Sequence, residues 1–488
     1  MRSSIEDKPE VEGVEAGHFY LAFVERENAP LLTAITDPGL VFGQDTSYSR
    51  PEGFLQNSLA ELAQRRQNTA GKTPCGFFGS TLKLSPGEAV TLSAIIGHAR
   101  NMDVINARYP RLVQAGYLRG KRREANELAD TLTDVVATKT SSPLFDAYCR
   151  QNLLDNVMRG GWPTLLGSKQ QPVVYHIYSR KHGDLERDYN AFYQSAEFYS
   201  QGNGNFRDVA QNRRCDVLLE PRVADYDIRT FMNLIQADGY NPLVIQGSRF
   251  LVPSSRLADV LDLVESPHDF EPFFAHAFTP GQLLKHIADH GVQLKVAPDE
   301  FLSQVLGQAG QSFEAAFGEG FWVDHWTYLL DLMTSYLAVY PDRKDELLLS
   351  KSVYTFYDSA AIVRPRSEKY VLAPPDSQPR QFNAILEDEE KAALIASRAE
   401  SLHLMRTACG RGEVYRTTLL AKLVCLAVVK FATLDPCGMG IEMEAGKPGW
   451  YDALNGLPGL FGSSMPETYE LARLLDFILQ AVREHGEG

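Results

Sequence analysis

The sequence predicts a mainly α-helical protein that begins with a β domain. Two patterns support this: short aromatic and β-favouring runs bounded by turns fill residues 1–105, and recurrent amphipathic helical patterns fill residues 152–488. The chain has 488 residues, more than the roughly 250–300 at which a single core stops growing, so we expect two or more folding units. Hydrophobic residues make up 44% and charged residues 23%, a balance that excludes the disordered, collagen-like and membrane classes.

Residues 1–105 are expected to form part of an antiparallel β-sandwich. The runs His18–Val24 and Gly76–Leu84 are predicted to be strands, and Pro86–His98 is predicted to be a turn followed by a strand. The segment Ser3–Glu15 offers no clear first strand. The sandwich is therefore predicted to lack its earlier strands.

Residues 106–151 change to helical spacing and are predicted to be a linker. Apolar residues recur there at three- and four-residue steps, as in Lys121–Val136. Many helices joined by long loops follow, with little strand signal, which predicts an all-α toroid or bundle over residues 152–488. The predicted helices are Thr230–Gln236, Ser255–Val264, Pro280–His290, Pro298–Phe317, His325–Val339, Glu387–Thr407, Arg416–Phe431 and Glu467–Glu484. Residues 365–381 contain tandem prolines and are expected to be an exposed connector.

Charge and cysteine usage limit the partners and the compartment. The formal net charge of −14 opposes binding to nucleic acid or to an anionic membrane, so an anionic ligand must be captured locally. Six cysteines without a CxxC pair favour reduced thiols over disulfides or a zinc site. The sequence shows no signal peptide and no run of 18 apolar residues, so we expect a cytoplasmic protein. His176 and His182 lack an obvious acidic third ligand, so no metal is predicted.

Residues 175–216 hold too many glycine, polar and aromatic residues for one helix and are predicted to be a site loop. Arg207, Asp208 and Gln211 supply dense hydrogen-bonding capacity, which suits a ligand made of hydroxyl groups. A salt-bridge network that holds loops together is an equally good interpretation of this segment. The sequence alone leaves both interpretations open.

Residues 435–464 form a second glycine-rich segment that is predicted to be a loop. Trp450 and Tyr451 directly precede Asp452, and such rings offer a face for a sugar and less polar surroundings that raise a carboxyl pKa toward the general-acid range. Asn455 adds a polar group three residues later. Alternatively, Asp452 caps a helix.

Residues 321–328 are strongly aromatic, and Trp322 is a candidate for stacking on a sugar ring. The helical spacing between Trp322 and Trp326 is more typical of core packing. The sequence contains no phosphate-binding P-loop, no dinucleotide fingerprint and no nucleophile elbow in the required context. The chemistry is therefore expected to reside in the two glycine-rich loops.

These two loops resemble those of the inverting phosphorylases of glycoside hydrolase family 94 and its relatives. In the shorter members a Trp-Asn-Asp motif, followed by a small residue, Leu and Asn, carries the general acid. Residues 450–455 match this motif, with Tyr451 in place of its first Asn. Residues 207–211 match the upstream Arg-Asp-x-x-Gln-Asp motif, with Asn212 in place of its last Asp. Both departures resemble the longer β-1,2- or β-1,3-oligoglucan phosphorylases.

The resemblance implies a fold and a reaction. The fold is the C-terminal part of a β-sandwich at 1–105, a helical linker at 106–151 and an incomplete (α/α)6-barrel catalytic domain at 152–488. The reaction is inverting phosphorolysis of β-linked gluco-oligosaccharides, which yields α-glucose 1-phosphate and a shortened acceptor. Inorganic phosphate is the co-substrate, no metal or organic cofactor is implied, and a homodimer is expected.

The resemblance also assigns roles to residues, with Asp452 as the general acid. The implied substrate-binding residues are Arg207, Asp208, Gln211, Trp450, Tyr451, Asn455 and Trp322. Family members have a longer sandwich and phosphate-binding His and Ser/Thr residues after the general acid, so this chain is expected to be truncated at both ends. Two alternatives remain: an inverting hydrolase on the same barrel, with Glu442, Glu444 or another acid as base, and a non-catalytic carbohydrate-binding fragment or subunit.

Overall fold

The computed structural model describes most of the chain, with gaps. The described residues are 17–27, 30–71, 75–168, 172–177, 198–199, 201, 204–317, 325–374, 378–381, 384–398, 401–442 and 463–486. The chain divides into two compact units, Met1–Asp134 and Val135–Gly488, and the division falls inside the segment predicted to be a helical linker. Across the described residues, no helix combines the length and the apolar character needed to cross a membrane.

The first unit contains two small antiparallel sheets and five helices among its described residues. Its strands pair as β1 (Gly17–Val24) with β4 (Leu92–Ala99), and β2 (Ala34–Ile35) with β3 (Phe77–Phe78). Its helices are α1 (Pro38–Phe42), α2 (Glu52–Gln56), α3 (Leu59–Gln64), α4 (Met102–Leu112) and α5 (Tyr117–Thr133). The predicted strand at His18–Val24 and the helical spacing of Lys121–Val136 are confirmed. Of the strand predicted over Gly76–Leu84, only β3 forms.

The second unit combines helices with five small antiparallel sheets in its described part. The paired strands are β5 (Trp162–Gly167) with β6 (Pro172–Ile177), β7 (Gly204–Asn205) with β8 (Val244–Leu251) and β8 with β9 (Gly310–Ala316), β10 (Ala361–Val363) with β13 (Ile385–Glu387), β11 (Tyr370–Ala373) with β12 (Gln378–Gln381), and β14 (Ile441–Glu442) with β15 (Ser463–Ser464). The expectation of little strand in residues 152–488 is therefore wrong. Residues 365–381, predicted to be a connector, contain β11 and β12.

Twelve helices make up the remainder of the described second unit. They are α6 (Pro143–Gly160), α7 (Phe206–Arg213), α8 (Asp216–Leu219), α9 (Tyr226–Asn233), α10 (Ser254–Leu261), α11 (Pro267–Phe270), α12 (Pro280–His290), α13 (Pro298–Gln308), α14 (His325–Val339), α15 (Glu389–Ala396), α17 (Leu419–Phe431) and α18 (Met465–Gly486). A short turn, α16 (Thr407–Gly410), lies between α15 and α17. Helices α12 and α14 have the predicted bounds. The helix predicted over Glu387–Thr407 ends early, at Ala396.

Local sequence explains where helix α12 begins and ends. Thr279 and Gln282 form a reciprocal capping box, and Pro280 occupies the first turn, where its missing N–H costs nothing. Gly291 follows the helix with a φ of 62°, a left-handed conformation that glycine adopts without strain. These signals are all local, which is why the sequence predicts this helix correctly.

The helix predicted over Pro298–Phe317 is wrong in its second half. Helix α13 ends at Gln308, and Gly310–Ala316 is strand β9, paired with β8 over its full length. Side chains along β9 alternate between more and less exposed positions, as a sheet requires. Pairing with a distant strand therefore overrides the local helical pattern.

Two hydrophobic clusters form the core of the second unit. The larger packs α7, α9, α14, α17 and α18 together through residues such as Phe231, Met333, Leu423 and Leu474. The smaller packs β6 and β8 against α12 and α13 through residues such as Tyr175, Phe250 and Phe301. The structure thus shows a mixed fold of helices and small antiparallel sheets, in which α7, α14 and α18 share one core.

Candidate functional site

Helix α7 carries the three predicted site residues that the structure describes. The helix begins after Asn205, whose Oδ1 accepts a hydrogen bond from the backbone N–H of Arg207 at 3.0 Å. The buried residues of this helix are Phe206, Val209, Ala210 and Arg213. Arg207 and Asp208 are half-buried, and Gln211 is exposed. The motif residues therefore lie on the face of α7 away from the core, where a ligand can reach them.

Arg207 and Asp208 form a partly exposed ion pair. The Arg207 Nε donates to Asp208 Oδ1 at 3.2 Å, and the two side chains are 15% and 26% exposed. A carboxylate has about four acceptor sites, so this contact uses only part of the capacity of Asp208. The remaining sites are suited to the hydroxyl groups of a ligand.

The salt-bridge interpretation of the same segment holds for other residues of it. Arg214 Nη1 lies 2.8 Å from Asp331 Oδ2, and its guanidinium lies 5.1 Å from the ring centre of Tyr328. Arg473 Nη2 binds the other oxygen, Asp331 Oδ1, at 2.8 Å. Asp331 therefore joins α7, on which Arg214 is the final cap, to α14 and α18.

The shared carboxylate limits how far apart the starts of these three helices lie. The contacting residue is about eight residues from the start in α7 and α18 and about six in α14, which is roughly 9–12 Å along each helix at ~1.5 Å per residue. Arg207 and Asp208 lie in the first turn of α7. The segments that precede α14 and α18 in sequence carry Trp322 and Asp452. Helix α7 thus carries the first predicted motif, the second precedes helix α18 in sequence, and both helices contact Asp331.

Five predicted site residues lie outside the described residues: Trp322, Trp450, Tyr451, Asp452 and Asn455. The competing interpretation of Trp322 as a core residue also stays open. Its helical neighbour Trp326 is described, and it is buried in the larger hydrophobic cluster.

The two ends of the segment that contains Asp452 are held together. Ile441 pairs with Ser464 and Glu442 with Ser463, so residues 443–462 leave and return at adjacent positions. Asp435 accepts hydrogen bonds at 2.7 Å from the hydroxyl of Ser463 and from the backbone N–H groups of Gly440 and Cys437. The Ser463 hydroxyl and these backbone groups lower the pKa of Asp435 to about 2, so it is a permanent anion at neutral pH.

Glu442, a candidate base for a hydrolase, is buried and bonded to other side chains of the protein. Its side chain is fully buried, its Oε2 lies 2.9 Å from Arg366 Nη2, and it accepts a hydrogen bond from the Tyr370 hydroxyl at 3.3 Å. A base that activates water needs access to that water. Glu444, the other candidate, lies outside the described residues.

A second polar cluster is buried beyond the end of α7. His176 Nε2 lies 2.7 Å from Asp216 Oδ2, Arg213 Nε lies 3.9 Å from the same oxygen, and Asp227 shares a hydrogen bond with Asp216. All four side chains are buried. Burial lowers the pKa of His176 to about 3 and raises the pKa of both carboxyl groups above their usual range. The imidazole is therefore neutral, and its Nε2–H donates to Asp216.

One proton balances the charge of this cluster. His176, Asp216 and Asp227 place three ligand atoms within 4.8 Å of one another, close enough to hold a metal ion. Arg213 already brings a positive charge to Asp216, and a divalent cation would leave excess positive charge in a buried cluster. An ionised Asp216, a protonated Asp227, a neutral His176 and Arg213 sum to zero. We therefore assign the cluster a structural role.

Sequence reasoning missed this cluster. It paired His176 with His182, which lies outside the described residues, whereas the partner of His176 is Asp216, 40 residues further along the chain. The three-residue spacing of Arg213 and Asp216 is the local signal from which this ion pair could have been predicted.

No model of a known protein family matches the chain, and no curated protein matches it significantly.

Proposed function

We propose that the chain is an inverting glycoside phosphorylase, which converts β-linked gluco-oligosaccharides and phosphate into α-glucose 1-phosphate and a shortened acceptor. The observation that carries the proposal is the shared contact of Arg214 and Arg473 with Asp331, which ties the helices that follow or contain both predicted motifs to one carboxylate. In this proposal the helices of the second unit belong to an incomplete (α/α)6 barrel, and the enzyme works as a cytoplasmic homodimer.

The proposed chemistry needs one acid. Protonated Asp452 donates its proton to the glycosidic oxygen while an oxygen of phosphate attacks the anomeric carbon from the opposite face, which inverts its configuration. An inverting hydrolase requires a second carboxylate to activate water, but phosphate is already an anionic nucleophile. The net charge of −14 opposes this anion at long range, so phosphate must be bound by local donors.

The remaining site residues hold the sugar in this proposal. Asp208 accepts hydrogen bonds from hydroxyl groups of the cleaved glucose, and Arg207 orients Asp208 and donates to hydroxyl oxygens. Gln211 and Asn455 supply amide hydrogen bonds. Trp322, Trp450 and Tyr451 provide ring faces for stacking. The half-buried position of the Arg207–Asp208 pair supports this role, because the contact between them leaves acceptor sites of the Asp208 carboxylate for a ligand.

The burial of Glu442 favours a phosphorylase over the hydrolase that would use it as base. Glu442 is fully buried and paired with Arg366, so its carboxylate lacks the access to water that a hydrolytic base needs. A hydrolase that uses Glu444, and a subunit that only binds sugar, are distinguished by experiment.

The test is phosphate release from α-glucose 1-phosphate with β-1,2-, β-1,3- and β-1,4-linked glucobioses as acceptors. We expect release with at least one acceptor, its loss in Asp452→Asn, and its retention in Asp262→Asn, a matched change at an exposed aspartate. Cleavage without phosphate would identify a hydrolase, and sugar binding without either reaction would identify a binding subunit. Both results would overturn the proposal.

A further inference from the structure

A cleft of about 370 Å³ opens in the second unit between β9, β10 and β13. This volume lies at the lower end of the range for small-molecule sites, about 300–1,000 Å³, and equals roughly a dozen water molecules at ~30 Å³ each. The residues that carry its chemistry are Tyr240, Phe317, Tyr357, Ser359, Glu387 and His403. All of them are described by the structure, and none is among the predicted site residues.

Four rings of the cleft form a continuous aromatic column. The ring centres of Tyr240 and Phe317 lie 5.4 Å apart, those of Phe317 and Tyr357 lie 4.6 Å apart, and those of Tyr357 and His403 lie 5.1 Å apart with nearly parallel planes. His403 Nδ1 lies 3.1 Å from the backbone carbonyl oxygen of Asp358. Because a carbonyl only accepts, Nδ1 carries a proton and this contact fixes the His403 ring. The wall is therefore aromatic and fixed, with a polar ring at its end.

The charges around the cleft disfavour an anion. None of the described residues that line it is Lys or Arg, and Glu387 brings a carboxylate. Burial raises the pKa of Tyr240 to about 12, with Asp238 and Glu387 adding to the shift. Burial also raises the pKa of Tyr357 to about 12, with Glu314 adding to it. Both phenols therefore stay neutral and able to donate, among acids that repel a phosphate.

The stacking of the rings also disfavours a cation. Attraction of a cation to an aromatic ring requires an open ring face. Tyr357 is stacked with the rings of Phe317 and His403, which occupy part of its ring surface. What remains is an apolar wall with polar groups from Glu387 and His403, because the Ser359 hydroxyl is already bonded to Gln236. This combination fits an uncharged ring that carries hydroxyl groups.

The three-stranded sheet places the cleft close to the Arg207–Asp208 pair. Asn205 of β7 pairs with Val244 of β8, which pairs with Ala316 of β9. Two steps between strands span about 10 Å. Ala316 precedes the cleft residue Phe317, and Asn205 is the cap of helix α7. A ligand longer than one sugar is needed to contact both places.

We propose that this cleft binds one pyranose ring of a neutral oligosaccharide whose other end lies at Arg207 and Asp208. The cleft as a neutral-sugar site stands on its own lining, and its assignment to a gluco-oligosaccharide rests on the proposed function. Recognition uses hydrogen bonds from sugar hydroxyls to the Glu387 carboxylate and polar contact with the His403 ring, with the sugar ring packed against the aromatic column.

Calorimetric titration of the full chain with β-1,2- and β-1,3-linked glucotriose tests the inference. Glu387→Gln removes an exposed charged acceptor, and Ala360→Leu adds volume inside the cleft. We expect each variant to weaken trisaccharide binding about tenfold or more, the size expected from losing one hydrogen bond to a charged group. Glu390→Gln, an exposed glutamate three residues from Glu387, is the matched control and should bind as the unaltered chain does.

Phosphate release, measured beside these titrations, separates this inference from the proposed function. Asp452→Asn should abolish phosphate release and leave trisaccharide binding intact. If the unaltered chain releases no phosphate but the two cleft variants bind trisaccharide more weakly than it does, the proposed reaction fails and the cleft stands as a sugar site. If phosphate release occurs and the cleft variants bind trisaccharide as tightly as the control, the cleft assignment is wrong. Absence of trisaccharide binding by the unaltered chain would also overturn it.

Discussion

Helix α7 carries charged side chains in two opposite surroundings. At its start, the side chains of Arg207 and Asp208 are 15% and 26% exposed and share one contact. Beyond its end, the side chains of Arg213 and Asp216 are 5% and 6% exposed and belong to a cluster whose charges are balanced inside the protein. The buried group has its partners in the fold, whereas the exposed pair has capacity left for a ligand.

The difference shows that burial separates charged side chains that are paired inside the fold from charged side chains that keep capacity for a ligand. An uncompensated charge in the interior costs several kcal/mol, so buried charges are placed by the fold and serve its stability. A half-buried pair costs little to leave open and adds little to stability. In the segment 175–216 the salt-bridge interpretation therefore holds for Arg213 and Asp216, whereas ligand binding by Arg207 and Asp208 stays a prediction.

The strongest way to break this comparison is to remove a carboxylate from each region. We expect Asp216→Ala to lower the free energy of unfolding by about 3–5 kcal/mol, because it removes the buried carboxylate that contacts both His176 and Arg213. Asp208→Ala, at the exposed pair, should change it by less than about 0.5 kcal/mol. Denaturant unfolding followed by tryptophan fluorescence reports the second unit alone, since all four tryptophans lie there. A loss below about 1 kcal/mol in Asp216→Ala would remove the distinction.

Catalysis should respond in the opposite order. We expect Asp208→Asn to lower kcat/KM for the reverse, phosphate-releasing reaction about 30-fold, which is about 2 kcal/mol, because the sugar hydroxyls lose a charged acceptor. Its unfolding free energy should stay unchanged. Initial rates of phosphate release at several acceptor concentrations measure the effect. Full activity in this variant would show that the exposed pair does not hold the substrate.

The same contrast explains what the sequence could predict. Helices α12 and α14 follow from 3.6-residue periodicity and local caps, and Arg207 and Asp208 stand out because their motif is contiguous. Strand β9 was missed because its partner β8 lies about 60 residues earlier, and only that pairing makes it a strand.

The buried cluster and the aromatic cleft were missed for a related reason. His176 and Asp216 are separated by 40 residues, and the rings of Tyr240, Phe317, Tyr357 and His403 recur with no period. Their contacts exist only after long-range packing brings them together. Contiguous motifs can be identified from a sequence alone, whereas sites assembled from distant segments require the fold.

Asp331 is about as exposed as Asp208 but contacts two arginines, and its removal sharpens the comparison. Its side chain is 24% exposed and binds both Arg214 and Arg473. We expect Asp331→Asn to cost about 1 kcal/mol of stability, the sum of two partly exposed ion pairs, and to lower kcat/KM about tenfold by loosening α7 against α18. Asp476→Asn, an exposed change on α18, is the control. An effect on stability without any effect on kcat/KM would show that the contact does not position the site.

The smallest expected effect is a pH dependence that the buried cluster produces. The pKa of Asp227 is raised by burial to about 7, so its contribution to stability is fully present below about pH 3.8 and is lost as the pH rises through 7. His176 acts in the opposite sense: its folded pKa is lowered, and its contribution is present above 6.5 and lost as the pH falls toward 3.

Asp227→Asn removes the first contribution and keeps the second, so a comparison of the two proteins isolates the Asp227 proton. From pH 6 to pH 8 we expect the unaltered chain to lose about 1 kcal/mol of unfolding free energy relative to Asp227→Asn, since tenfold in proton activity is worth 1.36 kcal/mol for one proton. Asp208→Asn, measured in the same way, should follow the unaltered chain because it leaves the buried cluster intact. Parallel pH profiles for the unaltered chain and Asp227→Asn would mean that the buried cluster holds no such proton and that its charge is balanced by another group.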